Sequence, residues 1–229
     1  YQTTIPQLFY YNAFVMFANG PEAKAGTLGA KFKFFHEWKR LSEDDEEGSV
    51  AFETMLLGMC NKKNFMDLFE NFILFDHSNG KVVKILARNH QFLGVNQAFE
   101  NYKARKFKNG KLGVFWHTQG SGKTALSYYM NKVLTDYYAT VNKVPKFYFI
   151  VDRLDLLRQA SIEFANRGLN VTNCKDKDEF MREIDKPLST HIDSKSIGEV
   201  VVANIQKLET RLEEAKNDYN VKVQRVFFI

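Results

Sequence analysis

The chain has 229 residues, 45% of them hydrophobic, and its 32 Lys plus Arg against 27 Asp plus Glu give a formal net charge of +5. Enough apolar residues are present to build a real core, and the mild basic excess suits a polyanionic partner. No apolar run approaches the roughly 20 residues of a membrane span, and Cys60 and Cys174 lie too far apart to suggest a disulfide framework or a zinc site.

The start, Tyr1-Gln2-Thr3-Thr4, lacks the charged-then-apolar layout of a signal peptide, so a cytoplasmic protein is expected. Phe14-Val15-Met16-Phe17 is expected as a buried strand closed by the Asn19-Gly20-Pro21 turn, and Phe32 to Phe35 is a second candidate strand. Ser42 to Glu47 is a short acidic run of the kind found in solvated loops or helix starts. Phe52, Met55, Leu56 and Met59 then share one helical face, as do Phe65, Leu68, Phe69, Phe72 and Ile73. A phenylalanine stripe of that width belongs to a core rather than to a ligand box. Ser78-Asn79-Gly80 marks a turn and a plausible boundary.

A helix carrying Phe92, Val95 and Phe99 comes next, followed by the apolar run Leu112-Gly113-Val114-Phe115-Trp116, which predicts a strand. Beyond it, Ala125, Leu126, Tyr129, Met130, Val133 and Leu134 recur at helical spacing. Lys146 to Val151 has the continuous apolar character of a parallel strand buried on both faces. Leu154 to Arg167 is helix-like and stops at Gly168. Leu169 to Thr172, Glu199 to Ala203 and Val223 to Ile229 are expected strands, and Phe180, Met181 and Ile184 mark a short helix. Leu208, Leu212, Ala215 and Tyr219 trace one stripe on a further, charged helix. Strand and helix alternate from about Lys111 onward, which predicts an α/β fold with a parallel sheet covered by helices on both faces. Ligands of such sheets sit beyond the carboxyl ends of the strands.

Gly120-Ser121-Gly122-Lys123-Thr124 lies between the expected strand and helix. Glycines let the backbone turn tightly enough for successive N–H groups to face one anion, and a helix start adds its dipole and unpaired amides. Lys123 would reach the outer phosphates of a nucleoside triphosphate, and the Thr124 hydroxyl would ligate Mg²⁺. The full pattern wants a glycine five residues before Gly122, where His117 stands. Taken alone, Gly-Lys-Thr also suits a surface turn; the flanking strand and helix favour the phosphate loop.

Thr4-Ile5-Pro6-Gln7-Leu8-Phe9, Asn89-His90-Gln91, His117-Thr118-Gln119-Gly120-Ser121-Gly122-Lys123-Thr124 and Val151-Asp152-Arg153-Leu154-Asp155-Leu156 occur in that order, with Ile205-Gln206-Lys207 beyond them. This set resembles the restriction (R) subunit of type I restriction–modification enzymes, a nuclease joined to a helicase-like motor of superfamily two. Against that family His117 is part of the pattern rather than a departure from it. The resemblance implies a RecA-like P-loop lobe over residues 84–229, preceded over 1–83 by part of an α/β nuclease domain and a helical connector. It also implies a type I site-specific deoxyribonuclease that uses ATP and Mg²⁺ to translocate double-stranded DNA before cutting it. Its partners would be the methylation (M) and specificity (S) subunits.

Several residue roles follow from the resemblance. Thr118, Gln119, Gly120, Ser121, Gly122, Lys123 and Thr124 would hold the nucleotide, with Lys123 and Thr124 serving catalysis and Thr124 the metal. Gln91 matches the glutamine that meets the adenine edge in such motors, a task an amide suits because it both donates and accepts. Without the family, an exposed helix-start residue is the plainer reading of Gln91. Arg88 stands where a base-stacking or phosphate-facing arginine is common. Asp152 and Arg153 would contact the DNA backbone, with a plain surface ion pair as the alternative, and Asn204 and Gln206 would reach phosphates through neutral hydrogen bonds. Tyr1 matches the last residue of a nuclease element whose metal-binding residues lie upstream of it in the family, so the acidic run to Glu47 is taken as a loop. His36, His77 and His191 are assigned no role. The chain opens without Met and closes on an apolar run that in this superfamily precedes an Asp-Glu pair, so a fragment inactive alone is expected. Other superfamily-two motors and a nucleotide-binding module that no longer hydrolyses remain alternatives.

Overall fold

The strands described in the first half of the chain each pair with the strand next in sequence. The computed structural model describes residues 1–48, 50–105, 113–118, 120–186, 199–204 and 225–228, with backbone alone for Asn79 and 225–228. The chain divides into two units, Tyr1–Gln119 and Gly120–Ile229.

In the first unit β1 (Val15–Ala18) pairs antiparallel with β2 (Ala23–Gly26) across the expected turn, where Gly20 takes φ +98°. Phe32–Phe34 is a 3-10 turn, not the expected strand. A strand would send positions 32 and 35 to opposite faces, whereas the tighter turn puts them on one side. The Phe32 and Phe35 rings stack 6.0 Å apart at 22°, and both lie against Phe17. The acidic run is exposed irregular chain, as expected.

Helices α1 (Ala51–Met59) and α2 (Lys62–Asn71) form where the two stripes fall, with Met55, Met59 and Leu68 fully buried, but Phe52, Leu56, Phe65 and Phe69 are 40%, 38%, 40% and 55% exposed, so the stripes are core only in part. Fully burying side chains of this size contributes about 1.5–3 kcal/mol each. Gly58 is needed in α1 because a Cβ there would run into the Trp38 indole. The stripe misleads at its end, where Ile73 opens β3 (Ile73–Asp76) rather than extending α2. β3 pairs antiparallel with β4 (Val83–Leu86), and the turn at Ser78–Gly80 joins them; neither strand was expected. α3 (Asn89–Lys103) follows, with Phe92 wedged between Trp38 and Phe72 at ring distances of 5.2 and 4.7 Å. The strand expected over Leu112–Trp116 does not form in its described part. Val114 and Trp116 are 88% and 93% exposed, and no ladder includes residues 113–118 to take up their backbone groups.

In the second unit α4 (Lys123–Ala139) buries Leu126, Tyr129, Met130, Val133 and Leu134, the expected stripe. After it come β5 (Lys146–Val151), α5 (Leu154–Asn166), β6 (Asn170–Asn173), α6 (Lys177–Asp185), β7 (Glu199–Asn204) and β8 (Arg225–Phe228). Their bounds lie within a few residues of those read from the sequence. The strands form one sheet in the order β6-β7-β5-β8, parallel throughout. Alternation along β5 decides which helix covers which face. Phe149 meets Phe164 of α5 edge-on at 5.2 Å, while Tyr148 and Ile150 join Phe180 and Ile184 of α6 on the other side. Helices therefore cover both faces, as the alternation of elements predicts. The stripe from Leu208 to Tyr219 lies outside the described residues.

One charged pair sits inside this unit. Lys146 Nζ, at the start of β5, donates to Glu183 Oε2 at 2.7 Å and to the Glu183 carbonyl at 3.1 Å, and the side chains of both residues are nearly sealed from solvent. Burial works against the Glu183 carboxylate, yet hydrogen bonds and charge from Lys146 and Lys186 outweigh it and hold the carboxyl below the ordinary glutamate range. A depressed folded-state pKa gives stability that is present above the unfolded value and lost as pH falls through the folded one. Glu183→Gln should therefore lower the unfolding free energy by about 1.5–3 kcal/mol near neutral pH, because it leaves the buried Lys146 ammonium with only the longer Glu199 pair at 3.5 Å to balance its charge. Urea denaturation at several pH values checks this: the deficit must shrink in strong acid, and one that stays constant would refute the assignment.

Candidate nucleotide-binding site

Gly120 and Gly122 take φ +80° and +85°, the left-handed region that only glycine enters freely. Gly122 caps α4, whose first internal bond runs from Leu126 N–H to the Gly122 carbonyl at 3.0 Å. The amides of Lys123, Thr124 and Ala125 consequently have no carbonyl of their own helix to bond. Other helices of this protein answer the same need with side chains. Asn61 and Asp176 accept N–H groups at the starts of α2 and α6, Gln91 closes a capping box at α3, and Glu53 and Asp155 lie in the first turns of α1 and α5. Among the described α-helices α4 alone has neither a side-chain cap nor an acidic residue in its first turn. A Cβ placed on Gly120 would meet nothing within 4 Å, Lys123 is exposed, and Thr124 is half-buried. Outward amides, a positive helix end and a lysine together fit a polyphosphate with its Mg²⁺.

Thr118 is exposed in irregular chain before this loop, and Gln119 lies outside the described residues. In the first unit Arg88 is the half-buried N-cap of α3. Gln91 is 4% exposed, and its Oε1 accepts the Arg88 N–H at 2.9 Å, so it is a buried helix-start residue with a fixed amide. The His90 and His117 rings lie 5.0 Å apart, with Phe115 stacked on His117. His36, assigned no role from the sequence, belongs to the same cluster. Burial, then the charges of Arg88, His90 and Lys24, hold its pKa below the usual histidine value. No sequence spacing connects position 36 to positions 88–90.

Asp152 and Arg153 follow β5 at the carboxyl edge of the sheet, and both are exposed. Arg153 pairs with Asp155 rather than Asp152, through Nε–Oδ1 at 3.1 Å and Nη2–Oδ2 at 2.7 Å. Asn204, at the end of β7, is 3% exposed, and its Nδ2 donates to the Asp152 carbonyl at 3.1 Å. Gln206 lies outside the described residues. No group of three His, Cys, Asp or Glu able to hold a metal occurs among the described residues. Burial, with Glu179 and Glu183 nearby, pushes the Cys174 thiol up to about 12, whereas Cys60 is exposed.

A parallel sheet with helices on both faces, entered by a left-handed glycine loop and an uncapped helix, defines a P-loop ATPase type of fold. Residues 90–229 match the family model of the SWI2/SNF2 ATPase, and the chain belongs to that family. The resemblance to type I restriction subunits is also borne out. The chain is 29% identical over 224 residues to the type I restriction enzyme HindI endonuclease subunit of Haemophilus influenzae, covering 94% of this chain and 21% of that protein. Two proteins of Methanocaldococcus jannaschii assigned to the same class, the MjaIXP and MjaVIIIP endonuclease subunits, are 24% and 27% identical over 89% and 80% of this chain. The chain spans about a fifth of the length of these curated relatives, 21%, 20% and 18% respectively. Among the described residues no helix is long and apolar enough to cross a membrane.

Two outcomes follow from this geometry. Gly122→Ala forces a side chain into the left-handed region and should cost about 1–2 kcal/mol of stability, measurable by urea denaturation; a neutral substitution would show that the loop takes another conformation. Under a limiting dose of iodoacetamide Cys60 should be alkylated while Cys174 stays unmodified until the protein unfolds, as peptide mass mapping would read.

Proposed function

We propose that the chain is the nucleotide-binding part of the motor and nuclease subunit of a type I restriction endonuclease. It binds ATP with Mg²⁺ and, within the whole protein, couples hydrolysis to translocation on duplex DNA and cleavage. One observation carries the reading: α4 begins on left-handed Gly122 with no cap of its own, inside the segment that matches an ATPase family. Residues 84–229 form the motor lobe and 1–83 the nuclease side with its connector; a family match beginning at residue 90 supports that division.

Lys123 holds the outer phosphates, and the Thr124 hydroxyl holds Mg²⁺. Main-chain amides from Thr118 and Gln119 through Gly120, Ser121 and Gly122 line the phosphate path. Held by Thr124, Mg²⁺ would supply neutralisation of the charge that develops on the transferred phosphoryl group. Arg88 and Gln91 meet the base. Asp155 holds Arg153 only through an exposed pair, whose attraction water and salt largely screen. A DNA phosphate can displace it at little cost. Asp152 and Gln206 complete the DNA edge, and Asn204 serves it through the Asp152 carbonyl it holds. The M and S subunits supply site recognition, and we place the complex in the cytoplasm. Hydrolysis also needs carboxylates to hold Mg²⁺ and orient water; we assign these to the rest of the protein and expect the 229 residues alone to bind ATP without turnover.

In the full-length protein, Lys123→Ala should reduce DNA-stimulated ATP hydrolysis by about 100-fold or more and weaken nucleotide binding, since it removes the phosphate-facing cation. Thr124→Ala should raise the Mg²⁺ concentration needed for half-maximal turnover. ATP hydrolysis indifferent to duplex DNA would favour a nucleotide-binding module instead, and full activity in Lys123→Ala would end the proposal.

A further inference from the structure

Of the Asn89-His90-Gln91 run, Gln91 enters the proposed nucleotide site and Asn89 is left without a task. Asn89 is the first residue of α3, next to the N-cap Arg88, and is 7% exposed. Both ends of its carboxamide are directed to one short piece of main chain. Oδ1 accepts from Lys39 N–H at 3.2 Å and Arg40 N–H at 3.1 Å, and Nδ2 donates to the Arg40 carbonyl at 2.9 Å. These bonds cross 49 and 50 residues of sequence, so they are not a local cap. The side chain acts as a strand edge would, pairing with the backbone of a distant segment.

That segment is itself anchored. His36 exchanges both of its main-chain hydrogen bonds with Ala25 of β2, each at 2.9 Å, and the Trp38 ring packs 5.2 Å from Phe92 of α3. The start of α3 is therefore fixed to β2 through residues 36–40, with Asn89 as the polar link. Arg88 and Gln91, the side chains proposed to meet the base, flank this link. Gln91 is tied to the Arg88 main chain at 2.9 Å, so a shift of the helix start moves both together.

We infer that Asn89 is the positioning residue for base recognition: its carboxamide holds the start of α3 against residues 39–40 and so presents Arg88 and Gln91 to the adenine edge in register. The inference rests on the proposed role of Gln91.

The test is DNA-stimulated hydrolysis of ATP and of GTP by the full-length protein carrying Asn89→Ala, Asn89→Asp, Gln91→Ala or Asn64→Ala. Asn64, whose Nδ2 donates to the Gly58 carbonyl at 2.7 Å, controls for the loss of a comparable structural bond. Asn89→Ala should raise KM for ATP about tenfold with kcat within about twofold, and the preference for ATP over GTP should fall by a similar factor, since about 1.4 kcal/mol of misplaced contact is tenfold. Asn89→Asp keeps both accepted N–H bonds and should show a smaller loss, about threefold. Asn64→Ala should lower the melting temperature without changing the preference. If Gln91→Ala abolishes the preference while Asn89→Ala and Asn89→Asp retain it, the inference is overturned and the role of Gln91 stands. If Gln91→Ala retains the preference, the adenine reading falls and the inference with it. Should Asn89→Ala not fold, Asn89→Asp decides alone: an unchanged preference overturns the inference, and a reduced one supports it.

Discussion

The amides at the start of α4 impose the requirement on which the proposed site depends. A helix cannot bond its own first N–H groups, and at α4 no side chain caps them. Elsewhere the protein meets this need with Asn61, Gln91 and Asp176, each accepting an N–H within its own helix start. At α4 the sequence offers Gly122 and then Lys123, neither of which can accept with a side chain. An anion is the complement, and a cation beside the amides makes a polyanion the better one. The choice of Gly122 over Ser or Asp thus exchanges a self-sufficient helix start for a receptive one.

The two edges of the parallel sheet handle charge in opposite ways. At the starting edge Lys146 and Glu199 lie opposite each other in register, and Lys146 also meets Glu183 inside the protein. Charges desolvated in this way are justified by their pairing, and they serve the fold. At the carboxyl edge, Asp152 and Arg153 are exposed, and the pair Arg153 forms with Asp155 is open to water. Side chains held so weakly can change partners. The direction of the strands alone separates a locked edge from an available one.

Periodicity was a faithful guide wherever one element filled a whole apolar run. β5 was bounded to the residue, and α4, α5 and α6 to within a few, because each carries one uninterrupted pattern between clear stops such as Gly168. It failed where two elements share a run. Phe72 and Ile73 extend the stripe of α2 in spacing, but the chain turns extended at Ile73 because β4 is there to pair with it. Phe32 to Phe35 has strand composition, yet ring stacking on Phe17 rewards a tight turn that puts positions 32 and 35 together. Val114 to Trp116 is apolar enough for a strand and joins no ladder among the described residues. In each case the deciding partner is remote in sequence or absent from the described residues, so no local window contains it.

The candidate site divides along the same line. Gly120, Gly122, Lys123 and Thr124 act through neighbours in the chain, and their spacing announces them. Asn89 and His36 act through partners some fifty residues away, and nothing in their spacing does. Asn204 shows the distinction most sharply. A polar residue closing a strand invites a reading as a direct contact to a ligand, but its side chain lies inside, bonded to the carbonyl of Asp152. That bond joins the ends of β7 and β5, which are neighbours in the sheet. By holding the Asp152 carbonyl inward, it fixes where the chain leaves the sheet and hence where Arg153 emerges. A neutral amide suits this position, since a carboxylate at 204 would oppose the carbonyl and a lysine would add an unpaired charge to a buried edge. Any influence of Asn204 on a phosphate at this edge is therefore exerted through the loop it anchors.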